Sequence, residues 1–116
     1  MTRWGAFRGR RDGSKYGNRP TRCSEGIMHH SQREARRCSE LHVLLRAGLI
    51  ADLEAHPQPR FDLEVNGVEV CRYIADFRYT ENGETVVEDS KGHRTREYEF
   101  KRRLLLALHG IEVRET

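Results

Sequence analysis

Two aspartates and a lysine in one short stretch carry the chemistry of this chain. Residues Tyr73 to Gly92 read YIADFRYTENGETVVEDSKG, which is the pattern of two β-strands joined by a tight turn. Asn82-Gly83 is the turn, because both residues tolerate positive φ. A two-residue loop there pairs Glu81 with Glu84 and, counting back along both strands, sets Asp76 opposite Asp89. Facing side chains have Cβ atoms ~4.5–5.5 Å apart, and like charges at that distance repel. A divalent cation held by both carboxylates would turn this conflict into a binding site. Lys91 lies two residues beyond Asp89 and projects from the same face. Metal, water and a lysine are what phosphodiester hydrolysis needs: charge neutralisation, an acidified water and a cation that steers it. The backbone carbonyl of Ser90 lies close enough to join the metal ligands.

The neighbouring candidates are weaker. Glu88 competes with Asp89, but period two turns it to the other face, as support or a surface salt bridge. Glu34 has two readings of equal weight. Ser-Gln-Arg-Glu from Ser31 fits a capping box, in which Glu34 reaches back to the backbone, yet a helix end could also bring Glu34 to the acids. His29 and His30 are adjacent and lack the i, i+4 spacing of a helical zinc pair, so a loop role suits them. His93, Arg94 and Arg96 follow Lys91 closely. They read equally as contacts to the phosphates of the cut strand and as a solvated basic loop.

The elements that must position these residues follow from periodicity. Ser31 caps a first helix whose stripe is Ala35, Cys38, Leu41, Leu44 and Leu45, with Gly48 as its stop. Arg33, Arg36, Arg37 and Glu40 lie off that stripe. Pro57 and Pro59 exclude regular structure before Arg60. Phe61, Leu63 and Val65 form a half-buried strand, and Asn66-Gly67 is a second hairpin turn. Val68, Val70 and, by parity, Asp76 then share the core face, while Tyr73, Ala75, Phe77 and Tyr79 form the opposite one. A last helix runs from about Thr95 to His109, with Tyr98, Leu105 and Leu108 on its stripe and Gly110 as its stop. Ile111 to Arg114 alternates as an edge strand. The order is α-β-β-β-α-β, an α/β arrangement in which a three-stranded antiparallel meander is flanked by helices.

With 116 residues, 34% of them charged and 36% hydrophobic, the chain forms one domain with a modest core. No apolar run approaches the ~18–20 residues of a membrane span, and there is no secretory start, so no membrane partner is expected. Cys23, Cys38 and Cys71 are odd in number and widely spaced; they read as small buried thiols in a reducing cytoplasm rather than as ligands. The net charge of +3 is uneven. Arg3, Arg8, Arg10, Arg11, Lys15, Arg19 and Arg22 stand against Asp12 alone in the first 22 residues. Residues 1–24 therefore read as a Gly/Arg-rich flexible tail, and residues 25–116 as the folded domain. Trp4, Phe7 and Tyr16 interleave with the arginines, which suits phosphate contact plus base stacking.

Four linked motifs give the chain a family resemblance. KYGN stands at Lys15 to Asn18, SQREARR at Ser31 to Arg37, YIADFRY at Tyr73 to Tyr79 and VVEDSKG at Val86 to Gly92. Helix-Glu, strand-Asp and strand-(D/E)xK is the order of the PD-(D/E)xK nuclease superfamily. More narrowly, the chain resembles a small phage- and prophage-associated family of unknown function. The resemblance implies a restriction-endonuclease-like core and a magnesium- or manganese-dependent DNA endonuclease that cuts branched or Holliday-junction DNA, as a homodimer, in the cytoplasm of a bacterial host. It implies that Glu34, Asp76 and Asp89 hold metal, together with Ser90, and that Lys91 orients the attacking water. DNA contacts are expected from Arg8, Arg10, Arg11, Lys15, Tyr16, Arg19, Arg33, His93, Arg94 and Arg96. Motif three has aspartate where glutamate is commoner, which shortens the reach to metal by one methylene. A non-catalytic DNA-binding accessory protein of phage replication or packaging is the alternative.

Overall fold

The computed structural model describes residues 19–91 and 93–116. The expected tail contacts Arg8, Arg10, Arg11, Lys15 and Tyr16 lie outside them. Ten elements follow in chain order: strands β1 (Thr21–Arg22) and β2 (Met28–His29), helix α1 (Gln32–Arg46), strands β3 (Ala51–Glu54), β4 (Arg60–Val65), β5 (Val68–Ile74), β6 (Phe77–Glu81) and β7 (Glu84–Asp89), helix α2 (Arg96–His109) and strand β8 (Val113–Glu115). The fold is mixed α/β, with two helices and largely antiparallel strands. Within the stretch expected as a tail, Thr21 and Arg22 pair with His29 and Met28, and Cys23 is buried.

Both helices begin and end on local chemistry. The Ser31 hydroxyl accepts the Glu34 N–H at 3.1 Å, and the Thr95 hydroxyl accepts the Tyr98 N–H at 3.0 Å. Each satisfies a donor that the first helical turn leaves orphaned. Gly110 ends α2 at a φ of +68°, a conformation that glycine adopts without the Cβ penalty. The two Asn-Gly turns have φ of +52° and +78° at residues 66 and 67, and +53° and +79° at residues 82 and 83. Both central residues are therefore left-handed, as the hairpin twist requires.

The three-stranded meander is replaced by two separate sheets. β4 and β5 form a hairpin of their own, while β3, β6, β7 and β8 form a four-stranded sheet in the order β3-β6-β7-β8. The chain crosses between them at Ala75 and Asp76. β8 runs parallel to β7, with Val87 beside Val113 and Asp89 beside Glu115. Strand β3 was unexpected. It holds one large apolar residue, Leu53, and is recruited by the open edge of β6, where Glu54 takes both arms of Arg78 at 2.6 and 2.8 Å.

Parity fails in the first hairpin for a definite reason. Leu63 pairs with Cys71 but Glu64 pairs with Glu69, so the register slips by one residue and Val70 has no counterpart. A bulge of this kind turns every later side chain to the other face. Ile74 is consequently exposed, whereas Tyr73, Ala75, Phe77 and Tyr79 are buried; Val68 and Val70, at the turn end of the hairpin, are exposed as well. The expected shared face of Val68, Val70 and Asp76 is thereby overturned. In the helices, Ala35, Cys38 and Leu41 are buried, as are Tyr98 and Leu105, while Leu45 and Leu108 reach solvent.

The core lies in two clusters on either side of the main sheet. Ala35, Cys38 and Leu41 of α1 pack with Ile50, Phe77 and Tyr79. Tyr98 and Leu105 of α2 pack with Leu63, Tyr73, Ala75, Val87 and Val113. Glu88 is fully buried on the α1 side, not at the surface. Arg37 grips it with Nε at 2.7 Å and Nη2 at 2.8 Å, and the Tyr79 hydroxyl donates to it as well. This pair fastens α1 to β7. Arg37→Ala leaves a buried carboxylate without its counter-charge and is expected to destabilise the fold by about 3–5 kcal/mol in urea unfolding.

Candidate metal centre and nucleic-acid interface

The β6–β7 register is the expected one. Glu81 pairs with Glu84 and Phe77 with Glu88, so the next position outward sets Asp76 against Asp89. The two aspartates are locked through the main chain. Asp89 Oδ1 accepts the Asp76 N–H at 2.9 Å, and Asp76 Oδ2 accepts the Ser90 N–H at 2.9 Å. Asp76 can make this exchange because it stands at the crossover between sheets, where no ladder claims its N–H. Gln58 Nε2 donates to Asp76 Oδ1 at 3.1 Å, and the Tyr73 hydroxyl donates to Asp89 Oδ2. Each carboxylate oxygen still has a second lone pair to offer.

Burial sets the electrostatics of this pair. Asp89 is 1% exposed. Desolvation, followed by the charge of Glu34, pushes Asp76 up to about 6. Asp89 is raised to about 6, chiefly by burial, with Glu34 and Glu115 adding to it. Lys91 opposes both shifts, so its ammonium lies within electrostatic reach of each carboxylate. Its Nζ sits 4.4 Å from the centre of the Tyr98 ring, a cation–π contact that holds the charge beside the acids. A cluster of carboxylates with raised pKa is short of positive charge, and a divalent cation would supply it. The two aspartates offer such an ion a pair of carboxylates.

Glu34 sits between two environments. Its backbone N–H completes the cap on Ser31, but its carboxylate turns to His29 rather than to the helix backbone, with Oε2 2.8 Å from His29 Nδ1. His29 is thus no loop histidine; it is 3% exposed. Against the burial that opposes it, the Glu34 bond raises the His29 pKa.

A cleft of about 240 Å³ opens beside the acids, lined by Arg72, Tyr73, Lys91, Thr95, Tyr98 and Lys101 among others. Three of its lining residues are basic, although Glu97 also lines it and pairs with Lys101 at 3.2 Å, and Arg72 meets Glu69 at 3.8 Å. Arg19, Arg33, His93 and Arg96 are exposed. Arg94 is committed elsewhere, with Nη1 on Glu99 at 2.9 Å and Nη2 on Glu115, so it is a weaker phosphate contact than its position implied.

A second cluster was missed. Cys23, His29, Cys38 and His56 offer ligand atoms that all lie within 4.8 Å of one another, so this group could hold a metal ion. Burial raises the Cys23 thiol, but the Ile27 and Glu25 backbone together with His29 and Cys38 bring it down to about 7, while burial and the neighbouring Cys23 push Cys38 up to about 12. The irregular spacing of the four residues matches no paired-ligand motif. The buried-thiol reading of Cys23 and Cys38 holds for their burial but overlooked their company.

Over residues 13–116 the chain belongs to the family described as "Protein of unknown function (DUF1064)". No curated protein and no solved structure matches it. Among the described residues no helix is long and apolar enough to cross a membrane.

Proposed function

We propose that this member of the DUF1064 family is a metal-dependent endonuclease that hydrolyses DNA phosphodiesters on a restriction-endonuclease-like core. The observation that carries the reading is the pair Asp76 and Asp89, linked by the Asp76 N–H on the Asp89 carboxylate and the Ser90 N–H on the Asp76 carboxylate, with Lys91 beside it. Asp76, Asp89 and the Ser90 carbonyl would hold Mg²⁺ or Mn²⁺, with the free oxygen of Glu34 completing the set. When bound, the ion neutralises phosphate charge and lowers the pKa of its water. Lys91 orients the water for attack on phosphorus, and the P–O bond on the far side breaks as the leaving oxygen takes up a proton. Tyr98 keeps the lysine in place, and Tyr73 fixes the rotamer of Asp89. Arg72 and Lys101 at the cleft, with Arg19, Arg33, His93 and Arg96 outside it, would neutralise the phosphates of the bound strands. The motif resemblance adds a preference for branched or Holliday-junction DNA, action as a homodimer, and a phage or prophage gene expressed in bacterial cytoplasm.

One observation favours the second reading, a non-catalytic DNA-binding accessory protein. Both oxygens of Asp76 and both of Asp89 already accept protein hydrogen bonds. Such a shell could hold the acids for structure alone.

Cleavage of labelled four-way junction, flap and linear duplex DNA separates the two. The nuclease reading expects cutting in Mg²⁺ or Mn²⁺, none in chelator, and none from an Asp76→Ala preparation purified in parallel. Binding that falls with salt, with no cutting under either metal, would leave only the accessory role.

A further inference from the structure

The nuclease reading assigns no role to the cysteines, to His29 or to His56. We infer that Cys23, His29, Cys38 and His56 form a structural zinc site, with Glu34 as the carboxylate that orients His29. The ligand set is the Cys₂His₂ combination that zinc takes tetrahedrally. With Zn–S of about 2.3 Å and Zn–N of about 2.0–2.1 Å, a tetrahedral site separates sulfur from nitrogen by about 3.6 Å. Cys38 Sγ and His56 Nε2 are 3.7 Å apart. The His29 and His56 rings lie 4.9 Å apart, centre to centre.

Three further observations point to a ligand there. First, Nε2 of His29 is a buried nitrogen with no hydrogen-bond partner. Buried polar atoms are rarely left so, and an ion is one explanation for those that are. Second, the other nitrogen of that ring bonds the Glu34 carboxylate at 2.8 Å. A metal-ligating histidine almost always gives its second N–H to such an acceptor, which fixes the tautomer. Third, a closed turn holds Cys23 in place. Cys23 N–H bonds the Ile27 carbonyl and Gly26 N–H bonds the Cys23 carbonyl, both at 3.0 Å. His42 also approaches Cys38 Sγ, at 3.6 Å, but its Nδ1 is held by the Cys38 carbonyl at 2.8 Å. It therefore stands outside the set.

The four ligands come from three places: the β1–β2 hairpin, α1, and the connection between β3 and β4. The β1–β2 hairpin has only two residues in each strand. A zinc ion would fasten it to α1 at Cys38, one turn beyond Glu34.

The test is metal content and thiol protection in the full chain. Protein made in zinc-containing medium is expected to carry about one zinc per chain. Cobalt in its place should give the visible bands of a tetrahedral site with thiolate ligands. Zinc should slow alkylation of Cys23 and Cys38 by at least about tenfold while leaving Cys71, which lies outside the cluster, unchanged. His56 is exposed, so His56→Ala removes a ligand without opening the core. It should weaken zinc retention by more than the roughly 10–100-fold that loss of an outer partner produces. Three results would each overturn the site: less than about a tenth of an equivalent of zinc with no cobalt spectrum, equal retention by His56→Ala, or a Cys23–Cys38 disulfide in metal-free protein that no reductant-and-zinc treatment converts to a metal-bound form.

Discussion

Asp89→Asn is expected to melt at a higher temperature than the wild-type protein when both are free of divalent metal at pH 8, and to cut DNA about 10²–10³-fold more slowly. Both effects come from one cause. The Asp89 carboxyl is raised from 3.8 to about 6 in the fold, chiefly by burial. Below about pH 4 it is protonated whether the chain is folded or not, and no penalty exists. Between about 4 and 6 the unfolded chain releases its proton first, so the folded state binds more protons and stability falls as pH rises. Above 6 the full penalty is present, about 2–3 kcal/mol for a shift of this size. Asparagine never ionises. Its oxygen can accept the Asp76 N–H, and its amide can donate to the Tyr73 hydroxyl, which is able to accept. The expected gain at pH 8 is about 2 kcal/mol, or roughly 8 °C or more in a domain of this size. It should vanish near pH 4, and Mg²⁺ should stabilise the wild type but not the variant. Thermal unfolding at pH 4, 6 and 8 measures all three. Greater wild-type stability at every pH would mean that Asp89 is a structural anion, and the metal reading would lose its main support.

What the sequence made legible divides along physical lines. The Asn-Gly turn set the β6–β7 register because its geometry is local, and that register alone juxtaposes Asp76 and Asp89. The helix ends were legible for the same reason: Ser31, Thr95 and Gly110 act on backbone groups three or four residues away. The faces of the first hairpin were not. An unmatched Val70 is invisible in an alternating pattern, yet it reverses every later side chain. Strand β3 was missed because a short edge strand is selected by its neighbour rather than by its own composition. The division into two sheets falls after Ala75, whose N–H still follows the β4–β5 register to the Pro59 carbonyl at 3.0 Å, whereas the Asp76 N–H turns to the Asp89 carboxylate. The Cys/His cluster was the least legible. It gathers residues 23, 29, 38 and 56 from three separate segments, and only tertiary packing sets that distance.

Glu34 is where the two candidate centres meet, and two substitutions there should part them. Glu34→Gln keeps an oxygen that can accept the His29 Nδ1–H but removes the charge. Glu34→Ala removes both. If Glu34 serves the acid pair as well as His29, Gln should slow cleavage by roughly 10–100-fold while zinc content stays near the wild-type value. Alanine should slow cleavage at least as much and also weaken zinc by roughly 10–100-fold, because His29 loses the partner that fixes its ring. The charge has a further signature. Glu34 raises the pKa of both Asp76 and Asp89, so either variant should let those acids ionise at lower pH. The acid limb of the cleavage profile, measured on whatever activity remains, should then move down in pH for both variants alike. Equal zinc loss in Gln and Ala would show that charge, and not the hydrogen bond, serves His29. An acid limb that stays in place in both variants would put Glu34 outside the electrostatics of the aspartates and leave it to the cysteine–histidine cluster alone.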